Sequence, residues 1–178
     1  MAEITATDAF QPALAASRRR RLEIFLPLAV VALDQCSKAL VRELLPLNHS
    51  VSIVPGFLDL THVRNTGAAF GLLNAVDFPL KPVLIPVIAA AALIAVGMYS
   101  ASLAHHQLVA RIGLALIIGG AAGNLLDRIV VGSVVDFVDV YWRTWHFWAF
   151  NVADSAITVG VAVMILDMIG LTHVSKTV

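Results

Sequence analysis

Apolar residues fall into four long stretches, Leu22–Leu45, Leu80–Tyr99, Leu108–Leu126 and Ala149–Leu171. Each has about the 20 residues that a helix needs to cross the hydrocarbon layer of a bilayer. The first is the least clean, because Asp34 and Lys38 lie inside it. Polar and turn-forming positions gather between the stretches: a long connection at Pro46–Pro79, a short one at Ser100–Gln107 and an intermediate one at Asp127–Trp148. In the long connection, Ser50–Leu60 and Thr61–Val63 are rich in β-branched residues and are broken by Pro55-Gly56 and Asn65-Thr66-Gly67. That pattern predicts a small antiparallel sheet or a pair of hairpins on the membrane surface. The intermediate connection holds Tyr141, Trp142, Trp145, Phe147, Trp148 and Phe150, with all three tryptophans of the protein among them. Such rings favour the headgroup level, so 129–148 reads as an interfacial loop or short helix.

The expected fold is an all-α membrane protein: four transmembrane helices, a small extracytoplasmic β-sheet over about 46–79, and the interfacial segment. One domain, 22–171, lies between a polar tail at 1–21 and a short tail at 172–178. Arg18–Arg21 followed by Ile24–Leu33 also has the outline of a cleavable signal peptide. Asp34 and Gln35, however, stand where such cleavage wants small residues, so the stretch is kept as a span. Orientation follows the arginine cluster, which puts the N-terminus in the cytoplasm. Four crossings return the C-terminus, with Lys176, to the same side.

Composition agrees: 59% of the 178 residues are apolar and 13% charged, with a mean hydropathy of +0.86. That excess exceeds what one small globule buries. Zero net charge and one short basic run argue against a nucleic-acid partner. The single cysteine, Cys36, excludes an internal disulfide, and the six histidines show no metal-ligand spacing, so no metal is expected.

Ionisable groups at membrane depth cost roughly 2.5–3.5 kcal/mol each on insertion scales, so they are functional candidates. Asp34 and Lys38 share a helix face at i,i+4 and can pair. Asn65 and Gly67 suit a tight turn. The small-residue run Gly119–Gly123 lets another helix approach closely. Asn124 and Arg128 then share one face, while Asp127 is expected to point away toward solvent or headgroups. Asn151 and Asp154 share a face where the last span opens, and Asn151 suits an N-cap. The third span exits and the fourth enters on one side, so Asp136 and Asp154 come to a common depth, level with Asp34 and Lys38. Two carboxylates at a water–lipid boundary share one proton, because low dielectric and mutual repulsion disfavour ionising both. That is the arrangement of an aspartic peptidase. Which of the two holds the proton stays open, and Asp139 is a reserve candidate.

Read together, DQCSK at 34–38, RNTGAAFG at 64–71, GNLLDR with GSVVDF at 123–137 and FNVADSA at 150–156 resemble the lipoprotein signal peptidase (signal peptidase II) family over residues 24–170. The resemblance implies an aspartic endopeptidase of the bacterial inner membrane, working without a cofactor on its periplasmic side. Its partners would be membrane lipids and prolipoproteins whose lipobox cysteine carries diacylglycerol, cut on the N-terminal side of that cysteine. Asp136 and Asp154 match the family's catalytic pair. Asp34, Lys38, Asn65, Gly67, Asn124, Arg128, Asn151 and Ala153 match its other motif positions, in orienting or substrate-binding roles. A monomer is expected. A proton-coupled transporter or channel subunit is the alternative, but such proteins place ionisable groups near the midplane and often carry inverted repeats. Here the groups cluster at one edge and no repeat is visible.

Overall fold

The computed structural model describes residues 6–67, 78–104 and 107–170. Four α-helices and four strands follow in the order α1 (Ala6–Leu44), β1 (Ser50–Val54), β2 (Leu58–Asn65), α2 (Lys81–Ser102), α3 (Leu108–Val130), β3 (Val134–Trp142), β4 (Trp145–His146) and α4 (Val152–Met168). Ala68–Gly71, the end of the second motif, lie outside the described residues, as do His105, His106, the C-terminal tail with Lys176 and the last residue of the expected fourth span.

Among the described residues, three helical stretches are long and apolar enough to cross a membrane: Arg21–Leu44, Lys81–Ser102 and Leu108–Val130. The fourth helix has 17 residues and is shorter than the stretch 149–171 suggests. Its start is delayed because Phe150 is held in a β-bridge to Val138, leaving Asn151 as the N-cap. It stops where Ile169 takes the C-cap position and Gly170 turns to φ +77°. α1 begins at Ala6, within the expected polar tail, and runs unbroken into the first apolar stretch.

α3 is the central helix, packed along α4 and α1 and, less extensively, α2. Its glycines make this possible. A Cβ on Gly113 would lie 2.9 Å from the Gly160 carbonyl oxygen, and one on Gly119 would lie 2.9 Å from Pro27 Cα. Both are closer than real Cβ contacts allow, so the small residues set the α3–α4 and α1–α3 spacing. By contrast α2 buries only Lys81 and leaves most of its apolar side chains on the outside.

The sheet is antiparallel, in the order β1-β2-β3-β4. Residues 54–57 turn where Pro55-Gly56 predicts, with Gly56 at φ +81°. The segment read as an interfacial loop or short helix is instead largely strand. Val134, Val135, Val138 and Val140 suit a pleated surface, and β3 pairs with β2 from Leu58↔Val140 to Asn65↔Val134. Its first four residues are all buried, so the period-2 alternation that marks a half-exposed strand is missing there. The sheet sits on the helices through Val41, Val135 and Phe137, with Leu60, Val138 and Val152 packed around them. It is tied to the end of α1 by the His62 ring, whose Nδ1 lies 2.8 Å from the Leu45 carbonyl oxygen.

Candidate active site

Backbone pairing assembles the site. Phe150 bonds β3 through its amide to the Val138 carbonyl (3.0 Å) and through its carbonyl to the Phe137 and Val138 amides. The chain therefore returns beside Asp136 just as α4 begins, and Asn151 arrives next to it. Asn151 caps α4 reciprocally: its Oδ1 accepts from the Asp154 amide at 2.9 Å, and Asp154 Oδ2 accepts from the Asn151 amide at 3.3 Å. The capping expected of Asn151 is thus present, but its Nδ2 also donates to Asp136 Oδ1 at 2.7 Å. One residue holds both carboxylates.

The other carboxylate oxygens are held as well. Asp136 Oδ2 accepts from Asn65 Nδ2 at 3.1 Å, and Asp154 Oδ1 accepts from Asn124 Nδ2 at 2.8 Å. Asn65 Oδ1 accepts from the Gly67 amide at 2.9 Å, folding the 65–67 turn over Asp136. Arg128 fastens that turn by donating from Nη2 to the Gly67 carbonyl at 2.9 Å and from Nη1 to the Asn124 carbonyl at 3.1 Å. Its Nε is buried without a partner among the described residues. Burial, reinforced by the charge of Asp154, pushes the Asp136 carboxyl up to about 7, although the Asn65 and Asn151 amides and the Lys38 charge pull the other way.

Behind the dyad lies a buried ionic cluster. Lys38 is wholly buried, with Nζ 2.7 Å from Asp34 Oδ2, 3.0 Å from Asp127 Oδ2 and 2.9 Å from Asn124 Oδ1. Asp34 Oδ1 accepts from the Ala153 amide at 2.9 Å, so the first turn of α4 is held by a carboxylate of α1. A Cβ on Gly123 would fall 2.6 Å from Asp34 Oδ2, which explains a glycine at that turn of α3. Cys36 is exposed and takes no part.

All ten residues singled out in the sequence therefore lie in one connected network. Two readings at its margin are corrected. Asp127 does not point to solvent: it is 1% exposed and bonded to Lys38, to the Val135 amide at 3.3 Å and to Gln35 Nε2 at 3.3 Å. Its i,i+3 spacing from Asn124 was the signal that places both on one side of α3. Asp139, three residues from Asp136, lies on the opposite face of β3 and pairs with His146 Nδ1 at 2.9 Å.

Comparison with known proteins gives a consistent result. The family model described as signal peptidase (SPase) II matches residues 26–170. A lipoprotein signal peptidase of Geobacter metallireducens is 47% identical over 139 residues, 78% of this chain and 85% of that protein. That of Pseudomonas syringae pv. tomato is 40% identical over 158 residues, 87% and 90% of the two chains. Two solved structures described as bacterial membrane enzymes superpose with TM-scores of 0.71 and 0.70. They are 30% and 31% identical to this chain, and the alignments cover 88% and 86% of it and 93% and 94% of those chains.

Proposed function

The chain belongs to the signal peptidase II family, and from that membership we propose that Asp136 and Asp154 are its catalytic dyad, removing signal peptides from diacylglyceryl-modified prolipoproteins. The observation that carries this assignment is the grip of Asn151 on both carboxylates, through Nδ2 on Asp136 and the backbone amide on Asp154. Two acids fixed by one residue in a buried setting titrate as a pair holding one proton near neutrality. Asp136 is raised to about 7, and in this reading it carries the shared proton while Asp154 acts as the base.

The reaction follows from that asymmetry. Asp154 takes a proton from water as the water oxygen bonds to the scissile carbonyl carbon. Asp136 gives its proton to the carbonyl oxygen, which would otherwise carry the developing charge. In the breakdown step, Asp154 returns its proton to the departing nitrogen as the C–N bond breaks, and Asp136 recovers its own from the hydroxyl of the tetrahedral intermediate. The products are the shortened signal peptide acid and the free amine of the lipidated cysteine. Asn124 and Asn151 hold the carboxylates in register. The 65–67 turn, fastened by Arg128, lies where it can clamp the substrate backbone, and Arg128 Nε, without a partner among the described residues, offers a further donor.

The same reading gives four crossings in the bacterial inner membrane, with α4 as the last, both termini cytoplasmic and the dyad on the periplasmic side. The three exposed tryptophans of the 142–148 segment support placing the sheet at the lipid headgroups. The enzyme works as a monomer, the substrate entering sideways with its acyl chains in the bilayer. Purified protein should cleave a diacylglyceryl-modified lipobox peptide and leave the unmodified peptide intact. Equal cleavage of both would overturn the lipid requirement. Reporter fusions active in the cytoplasm only at both termini test the four crossings.

A further inference from the structure

Asp127 lies outside the dyad and outside the residues singled out from the sequence as its supports, yet four groups from two other elements converge on its carboxylate. Oδ2 is bound by Lys38 Nζ from α1 and by the Val135 amide from β3. Oδ1 receives Gln35 Nε2, with Arg42 Nη1 3.6 Å away, both from α1. A buried carboxylate with this many donors is immobile, and it holds its donors in turn.

Two short paths lead from it to the dyad. Through the Val135 amide it fixes the residue directly before Asp136, at the point where β3 enters the site. Through Lys38 it reaches Asn124, whose Oδ1 receives both Lys38 Nζ (2.9 Å) and Asn151 Nδ2 (3.2 Å). With two donors on that oxygen, the amide has one orientation open to it, the one that turns Nδ2 toward Asp154 Oδ1. We propose that Asp127 is a positioning residue for the reaction: one buried carboxylate fixes Asp136 through the Val135 amide and Asp154 through Lys38 and the Asn124 side chain. This rests on the dyad assignment above.

Charge sharpens the inference. Asp34 and Asp127 balance Lys38 and Arg42 behind the site, Arg128 stands beside it on α3, and Asp136 and Asp154 face the cluster from β3 and α4. Removing the Asp127 charge leaves Lys38 less neutralised, which favours ionisation of the dyad. Removing Lys38 does the opposite. The two changes therefore act in opposite directions on the pH at which the shared proton is lost, and a purely mechanical support would move it in neither.

The test is the pH profile of kcat and kcat/KM on a diacylglyceryl-modified lipobox peptide, for wild type, D127N, K38M, the double variant D127N/K38M and D136N. In D127N, kcat should fall about 100-fold, the scale expected for misplacement of reacting groups by about 1 Å, with KM changed by about twofold or less. The alkaline limb should move down by about half a pH unit or more in D127N and up in K38M, from the loss of a neighbouring charge of either sign. The double variant should restore the limb and keep the low kcat, since it keeps the charge balance but loses the contact to Asn124. A wild-type profile in D127N would overturn the inference. So would a loss of activity that matches a loss of folded protein, with an unmoved limb. Should D127N fail to insert, K38R carries the test: the charge stays and the Asn124 contact is displaced, so kcat should fall with the limb in place, and a wild-type kcat would overturn the proposal. If D136N cleaves at the wild-type rate, the dyad assignment itself has failed. An inactive D136N beside a wild-type D127N would sink the inference alone.

Discussion

The two ends of the helix bundle solve the same problem differently. At one end, Arg111 of α3 forms a two-pronged pair with Glu23 of α1, at 2.6 and 3.0 Å, and gives Nη1 to the Leu103 carbonyl at the C-cap of α2. The charges meet, the orphan carbonyl is satisfied, and the arrangement closes on itself. About 22–24 Å away along α1 and α3, by helix rise, Lys38 also joins α1 to α3 through carboxylates. There the network does not close. Asn124 and Asn151 each accept on one side and pass a donor to an aspartate on the other, so the cluster ends on groups able to exchange a proton. A closed pair joins helices, whereas an open-ended one delivers orientation and charge to a reaction.

Removing the proton exchange itself should have the largest effect. D136N and D154N should each lose roughly 10²–10⁴-fold in cleavage rate, the range for losing a positioned acid or base. Both variants should insert and purify as wild type does, because the isosteric amide keeps the acceptor that Asn151 uses. Near-normal cleavage by either would show that the open end of the network is not where the chemistry lies.

A smaller loss separates the two tasks of Asn151. In N151D the new carboxylate still accepts from the Asp154 amide, so the cap of α4 survives. The donor to Asp136 is gone, and a like charge takes its place. Activity should drop by about 100-fold with misplaced acids, while the thermal stability lost to the buried like charge should return as the pH falls and the carboxyls take up protons. Equal losses in stability and activity would make Asn151 a helix cap and nothing more.

These residues were unevenly legible in the sequence. The long apolar stretches follow from hydropathy, and the β1–β2 turn follows from Pro55-Gly56. β3 was hidden because its buried start shows no alternation, while the aromatic residues after it resemble an interfacial belt. The dyad came from topology and from the motif match. Asp127 was missed for a subtler reason. Asn124 and Arg128 define a face at i,i+4, and Asp127 lies just beside it at i+3, where only the arrival of Lys38 from another helix reveals its use. No spacing within α3 encodes that partner.

The dyad's titration gives the next smaller effect. Asp136 is raised to about 7 by burial and by Asp154, and in the proposed reaction it supplies the shared proton. Activity should therefore hold on the acid side of 7 and fall as pH rises through it. The stability sign is the same: a carboxyl whose folded value is raised contributes fully below its unfolded value of 3.8 and loses that contribution as pH climbs through 7. Asn65 pulls the value down, so N65A should move the alkaline limb to higher pH, by roughly half a unit for one hydrogen bond. A shift to lower pH in that variant would mean that Asn65 does not bond the ionised form.

The opposite end should move activity least. E23Q removes the charge from the closed pair, and R111L removes its donors altogether, leaving the Leu103 carbonyl and Glu23 without them. Thermal unfolding in detergent should register the loss of hydrogen bonds to charged groups, about 1–3 kcal/mol for R111L and less for E23Q, in which an amide oxygen still accepts. Turnover per folded molecule should stay within about twofold of wild type, because nothing in this pair passes a donor on toward the dyad. The pH profile should be unmoved, since screening and distance leave little of the Arg111 charge at Asp136. A displaced alkaline limb in R111L would erase the distinction between the two ends, making the whole α1–α3 seam one electrostatic unit.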